Sequence, residues 1–274
     1  MAKTWEEKCS RLADLRSFDA GVFAQTSSAP RHVREFILAL AAVHNDISDY
    51  LLALELLKGV SPKPPLLRTP RLGQSNAASL HAVRALLGVL RELLALIQNN
   101  NRTTTDPTFA NVLAAAPPQV RRAWQTISDV AEEKTSASGK LANFLVRCRN
   151  NVAFHYGPKV IAAGYMKRFV DNQREPPLIS PGQDLDSTRF YFVDAAIEAE
   201  LLQGESIEHF ASLLIGEASV TSDVLLAIFH IVTGFIKSRS PLTPYVDDGA
   251  KPPLDAFAPL RKQIAKKRRS KHRK

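Results

Sequence analysis

Residues 145–157 hold the densest group of chemically useful side chains in the chain. Arg147, Arg149, Asn150, Asn151 and His155 fall there, just behind the apolar residues Leu141, Phe144, Leu145 and Cys148. These side-chain types suit cleavage of a phosphodiester. Histidine titrates near neutrality, so His155 can carry the proton of a ribose 2′-hydroxyl or of the leaving oxygen. A guanidinium holds a phosphate in bidentate fashion and stabilises the charge that develops on it. An asparagine can orient either group. That chemistry calls for no metal and no cofactor. The sequence has no HExxH, no CxxC and no clustered carboxylates that would argue for a metal nuclease.

Helical geometry constrains how these groups meet. Phe144, Cys148, Asn151 and His155 recur at helical intervals, which puts Asn151 and His155 on the continuation of the apolar stripe. Arg149 and His155 stand about 120° apart on an ideal helix. The long arginine side chain can close part of that gap, or two copies of the motif can meet across a dimer axis. A structural reading fits the same residues. Polar groups at the end of a buried helix cap its last carbonyls or bond a neighbouring helix, and Arg147 and Arg149 are then surface charges.

The rest of the chain reads as helices able to position this stretch. Residues 3–16 are expected to form a short helix and 17–29 a loop, with Pro30 at a tolerated first-turn position. Val33, Ile37, Leu40, Ile47, Leu51 and Leu54 stripe a first long helix over 31–58, and His44 falls on that stripe as a core histidine. A Pro-rich loop over 60–74 precedes a helix from about 75 to 98, apolar nearly all round and therefore central in a bundle. A polar turn at 99–106 and a short helical piece near 108–115 come next. Pro117 and Pro118 open a third long helix, whose inner side is Val120, Trp124, Ile127 and Val130. The polar run Thr135 to Gly139 should break it before the motif helix, placed at about 140–156 and ended by Gly157 and Pro158.

Beyond the motif, residues 159–172 read as helix and 175–188 as loop. The aromatic segment Arg189 to Val193 reads as extended, with Asp194 capping a helix over 195–202. A last helix is expected from about Glu205 to Lys237, on a stripe that includes Leu225, Phe229, Val232 and Ile236. No stretch shows the sustained alternation of a sheet. The expected fold is all-α, an antiparallel helical bundle. Residues 1–240 form the helical domain in this reading, and 241–274 a linker and disordered basic tail.

The net charge of +9 is concentrated at one end. Arg261, Lys262, Lys266, Lys267, Arg268, Arg269, Lys271, Arg273 and Lys274 carry it, with no acidic residue among them. The remaining basic residues only balance the 27 acidic ones, so the body is formally neutral. Such a tail cannot fold alone; it would bind phosphates without sequence choice and weaken steeply with salt. It lacks the interleaved aromatics that stack on bases. It can equally be a solubilising end with no dedicated partner. The two cysteines, Cys9 and Cys148, have no framework or metal spacing and suit a reducing compartment. The N-terminal segment lacks an apolar signal core, and Glu217, Asp223 and His230 interrupt the most apolar stretch, 210–236. A cytoplasmic protein with no membrane span is expected.

The run Arg149-Asn150-Asn151-Val152-Ala153-Phe154-His155-Tyr156 resembles the signature of the HEPN superfamily, Arg followed after four to six residues by His, often with Asn after the Arg. The pair Asn45-Asp46 in an early helix and the aromatic segment Arg189 to Asp194 are similar to features of uncharacterised bacterial HEPN-like proteins. The likeness covers roughly residues 31–202. It implies a HEPN-like bundle with additional C-terminal helices, dimerising through the motif helix. It also implies a metal-independent endoribonuclease, a toxin or phage-defence effector, that acts on RNA and has an antitoxin or nucleotidyltransferase partner. Carried over, Arg149 holds phosphate, Asn150 positions it and His155 is the acid and base. Asn151, Tyr156, Asn45 and Asp46 support the site, and the tail recruits RNA. In one HEPN class a nucleotidyltransferase modifies a tyrosine two residues after the histidine. Tyr156 is directly adjacent, a departure from that pattern. Some HEPN proteins are not catalytic, so a helical module binding RNA, a nucleotide or a protein stays open beside the nuclease.

Overall fold

The computed structural model describes residues 16–60, 70–148, 150, 158–171, 176–179, 190–202 and 220–244. Among them the helices are α1 (Arg31–Val60), α2 (Pro70–Asn99), α3 (Asn101–Thr104), α4 (Pro107–Ala114), α5 (Pro118–Ala131), α6 (Ser136–Cys148), α7 (Pro158–Tyr165), α8 (Tyr191–Leu202) and α9 (Val220–Lys237). A wide π-helical stretch, Met166–Asp171, continues α7. Among the described residues the regular structure is helical, apart from one two-residue strand pair.

The chain divides into two units. The larger includes Phe18 to Pro241. Its core is a ring of four helices in which α1 packs on α2, α2 on α5, α5 on α9 and α9 back on α1. The reason lies in α2. Residues 84–90 are buried without a break, and Leu93, Leu94 and Ile97 follow them, so buried groups face most of the way round the helix. No single neighbour can cover that surface, and α1, α5, α6 and α8 share it. On α1 the buried face is Val33, Phe36, Ile37, Leu40, Ile47 and Leu54; Phe36 joins the expected stripe and Leu51 is only half-buried. On α5 it is Val120, Ala123, Trp124, Ile127, Val130 and Ala131.

Between α1, α4 and α5 sits an aromatic trio. Phe109 lies 5.6 Å from Phe36 and 5.3 Å from Trp124, centroid to centroid. Its side chain is fully buried. Local chemistry aims α4 there. Asp106 is its N-cap, accepting the Thr108 amide at 2.7 Å, and Pro107 follows in the first turn. The Asp106 carboxylate also meets His32 Nε2 of α1 at 3.1 Å. Partial burial of Asp106 opposes its ionisation, but the Thr108 bonds and His32 outweigh it and hold the carboxyl below its usual value. At the far end of α4, Arg121 Nη1 of α5 donates to the Ala114 and Ala116 carbonyls, tying the two helices together.

Helices α7 and α8 make a close pair. A Cβ at Gly164 would run into the Ala196 carbonyl, so only glycine permits this approach. Tyr165 meets Phe192 edge-on at 6.0 Å. On α2, Gly73 leaves the space that the Tyr191 ring fills. The aromatic segment expected to be extended is therefore helical from Tyr191 onward, because its rings must reach α2 and α7 together. Asp194 sits inside the first turn of α8, not at its cap.

Three other expectations need correction. The buried face of α9 is Val224, Ala227, Ile228, Ile231, Phe235 and Ile236; Ile236 lies on the expected stripe, but Leu225 and Val232 are only half-buried and Phe229 is exposed. The first helix extends to Val60, and the second already begins at Pro70, inside the expected loop. Residues 17–29 contain a 3-10 turn, Ala20–Val22, capped by Asp19. The second unit includes the strand pair, in which Arg16 faces Pro244 and Ser17 faces Thr243. Their hydroxyls lie 3.0 Å apart. The expected helix over 3–16 and the part of the last helix before Val220 fall largely outside the described residues. Segments Arg31–Leu57 and Val220–Lys237 are each long and apolar enough to cross a membrane; here they pack against one another.

Two predictions follow from this core. Phe109→Ala should lower unfolding free energy by about 3–5 kcal/mol in a urea titration, because truncation opens a cavity between Phe36 and Trp124. Asp106→Asn keeps an N-cap but loses the charge. The depressed carboxyl of Asp106 stabilises the fold above its ordinary pKa and loses that contribution as pH falls through its folded value. The wild type should therefore exceed the variant by about 1 kcal/mol at pH 7, with the difference vanishing near pH 2. A gap that does not change with pH would contradict this assignment.

Candidate functional site

Helix α6 ends at Cys148, directly before the sequence motif, and a short turn decides where it begins. Helix α5 ends in a Schellman arrangement: the Glu133 amide donates to Val130 and the Lys134 amide to Asp129, at 3.3 and 3.0 Å. Glu133 occupies the left-handed position with φ 53°, where glycine is the usual residue. Lys134 Nζ reaches Glu132 at 3.0 Å and Asp129 at 3.3 Å, holding the turn from outside. At the other end of α5, Pro117 is an N-cap with no side chain to bond the first amides.

Thr135 and Ser138 then start α6. The Thr135 hydroxyl accepts the Ser138 amide at 3.1 Å, and the Ser138 hydroxyl accepts the Thr135 amide at 2.8 Å. This is a capping box with serine in the place usually held by Glu or Gln. The Thr135 carbonyl takes the Gly139 amide at 2.9 Å, the first turn of the helix. The polar run expected to break the chain at Thr135 to Gly139 instead begins the motif helix. The break is at Glu132 to Lys134, and the helix starts at Ser136, four residues earlier than Lys140. Serine, threonine and glycine were read as breakers, whereas here they are the cap.

From that start, α6 presents Ser138, Ala142, Leu145 and Cys148 to the core, with Leu141 and Phe144 packed at its edge. Its main neighbours are α2 and α5. Leu145 and Cys148 are almost wholly buried at the end that leads to the motif. Asn150, two residues on, is exposed. Arg149, Asn151, His155 and Tyr156 lie outside the described residues, as does the tail from Arg261 to Lys274.

The supporting pair from the first helix is exposed: Asn45 and Asp46 flank the core face of α1, next to buried Ile47. Neighbouring His44 is half-buried. Burial lowers its pKa, and a hydrogen bond with Asn45 partly opposes the shift. Of the aromatic segment, Tyr191 and Phe192 pack against Gly73 and Tyr165, which gives them a structural role. Among the described residues, no three His, Cys, Asp or Glu side chains are grouped to hold a metal. The chain matches no known protein family, no characterised protein and no solved structure.

Sequence reasoning passed over two features. One is the Thr135–Ser138 box, whose serine departs from the usual acid or amide. The other is a cleft between α4 and α9, assembled from residues far apart in the chain.

The turn before α6 generates its own test. Thr135→Ala should reduce stability by about 1 kcal/mol through loss of the cap. Glu133→Gly should raise it by about 1 kcal/mol through relief of the left-handed backbone. Chemical denaturation of both variants measures the pair; equal midpoints for all three proteins would rule out this account of the turn.

Proposed function

We propose that this chain is a metal-independent endoribonuclease of the HEPN type, acting as a homodimer in the cytosol as a toxin or phage-defence effector. The observation that carries the reading is the spacing of Arg149, Asn150 and His155. Two features support it. The described residues are predominantly helical, and the helix leading into the motif is fastened to the core by Ala142, Leu145 and Cys148. A site that must hold a phosphate and a proton carrier in register needs such a rigid approach.

In this mechanism Arg149 and Asn150 hold the scissile phosphate. A histidine base removes the proton of the ribose 2′-hydroxyl, and that oxygen attacks phosphorus. The bond from phosphorus to the 5′-oxygen breaks, and the leaving oxygen takes a proton from a histidine acid. The products are a 2′,3′-cyclic phosphate and a 5′-hydroxyl, with no redox change. Two copies of His155, one from each protomer, divide the base and acid roles. The nine cations of residues 261–274 would hold RNA near the site.

The same nine cations favour a second reading. A cationic tail binds phosphates with or without cleavage, so the chain would then be a non-catalytic helical module for RNA.

Purified protein and its His155→Ala variant, incubated with mixed RNA in EDTA, separate the two. The nuclease reading expects fragments with 2′,3′-cyclic phosphate ends from the wild type and at least about 100-fold less from the variant, with unchanged helical circular dichroism. Equal cleavage by both proteins would reject His155 as the catalytic group. RNA binding without cleavage, abolished by deleting 261–274, would favour the binding module.

A further inference from the structure

A cleft of about 540 Å³ opens between the length of α4 with the turn after it and the C-terminal half of α9. Its size falls within the range of small-molecule sites, roughly 300–1,000 Å³. His230, Lys237 and Arg239 line it on the α9 side, and Asn111 and Val112 on the α4 side. No carboxylate lines it. Pro117, the uncapped start of α5, forms part of the wall. An uncapped helix start adds the positive end of a backbone dipole to the cationic side chains.

Arg239 is the best-positioned cation. Its guanidinium carbon sits 4.0 Å from the centre of the Phe235 ring, and Phe235 is fully buried. Nη1 donates to the Phe235 carbonyl at 3.2 Å and to the Ser238 hydroxyl at 2.6 Å. Nε is buried with no hydrogen-bond partner. Burial lowers the arginine's pKa, a sign that the charge is partly desolvated. Among the described residues neither Arg239 nor Lys237 has an acidic partner. Asp106, next to the rim at Pro107, is already engaged by Thr108 and His32.

Gly234 keeps the cleft open. A Cβ there would stand 3.4 Å from Val112 Cγ1, so any longer side chain would project into the space between the helices. The walls combine apolar surface from Val112, Pro117 and Gly234 with a cationic rim on one side.

We propose that this cleft binds a phosphate monoester of nucleotide size, with Arg239 and Lys237 on the phosphate and the Val112–Gly234 floor against its organic part. The two cations, with His230 and the α5 start beside them, match a dianionic head, and the apolar floor matches a body that free phosphate lacks. The site is built from α4 and α9 and does not depend on the ribonuclease reading.

The test is titration of the full-length, isotope-labelled protein with AMP, ribose 5-phosphate and phenyl phosphate, followed by amide NMR shifts. Adenosine and phenol serve as phosphate-free controls. At least one ester should shift the amides of residues 107–117 and 230–239 with a Kd at or below about 1 mM. The controls should not. Lys237→Glu changes an exposed side chain and should weaken binding at least tenfold while leaving the spectrum folded. Gly234→Leu should fill the cleft and abolish binding. Arg239→Ala removes a contact with Phe235, so it is read only if its spectrum is native. No shift with any ester up to about 5 mM, shifts confined to other regions, or affinity unchanged in Lys237→Glu would each overturn the proposal.

Discussion

The constraint on which the rest of the structure depends is the apolar girth of α2. A helix with one apolar stripe needs one partner; α2 has buried side chains around most of its circumference and needs several. Fully burying a leucine contributes about 1.5–3 kcal/mol relative to leaving it in water, so an uncovered side of α2 would be expensive. The positions of α1, α5, α6 and α8 follow from that need. The α7–α8 pair is then held to α2 through Tyr191, which occupies the place beside Gly73 where a larger side chain would stand. Helix α9 completes the ring by covering the sides of α1 and α5 that α2 leaves open.

Within that frame, the motif helix is placed by backbone chemistry as much as by burial. The Schellman end of α5 and the cap of α6 are separated by almost nothing: Glu133 and Lys134 close one helix, and Thr135 opens the next. A turn this short leaves little freedom in the direction of α6. Burial of Ala142, Leu145 and Cys148 then sets its rotation. Cys148, the last residue of α6, is thus held at a defined point in the core. Any chemistry of the motif starts from a rigid base, although the helix itself is short.

The amphipathic helices were legible because their patterns have one phase. Val33, Ile37 and Leu40 on α1 and Val120, Trp124 and Ile127 on α5 leave no other face to bury. Helix α9 was misread because it has two apolar stripes at helical spacing. Val224, Ile228, Ile231 and Phe235 face inward, while the neighbouring Phe229 remains exposed; only the position of α1 and α5 chooses between them. Aromatic content suggested an extended segment near Tyr191, but the glycines at 73 and 164 that accept its helix are distant in sequence. The strand pair is too short to show alternation. The same logic separates the two sites. Arg149 through His155 is contiguous and can be read directly, whereas the cleft appears only when α4 and α9 are side by side.

Charge shows why a neutral total can conceal a cationic site. The body of the chain balances its acids and bases, yet several of its cations are engaged locally. Arg34 is buried and donates to the Phe23 carbonyl, Arg121 holds the end of α4, Arg31 pairs with Glu35, and Lys134 pairs with Asp129 and Glu132. Each of those positive charges is offset locally or used to satisfy a carbonyl. Lys237 and Arg239 stand on a wall without carboxylates. Arg239 is stacked on Phe235, so the orientation of its charge does not require a carboxylate counterion. An arginine held by an aromatic ring and a helix-end carbonyl keeps its geometry while its net charge stays uncompensated. That combination gives the α4–α9 cleft a fixed positive wall.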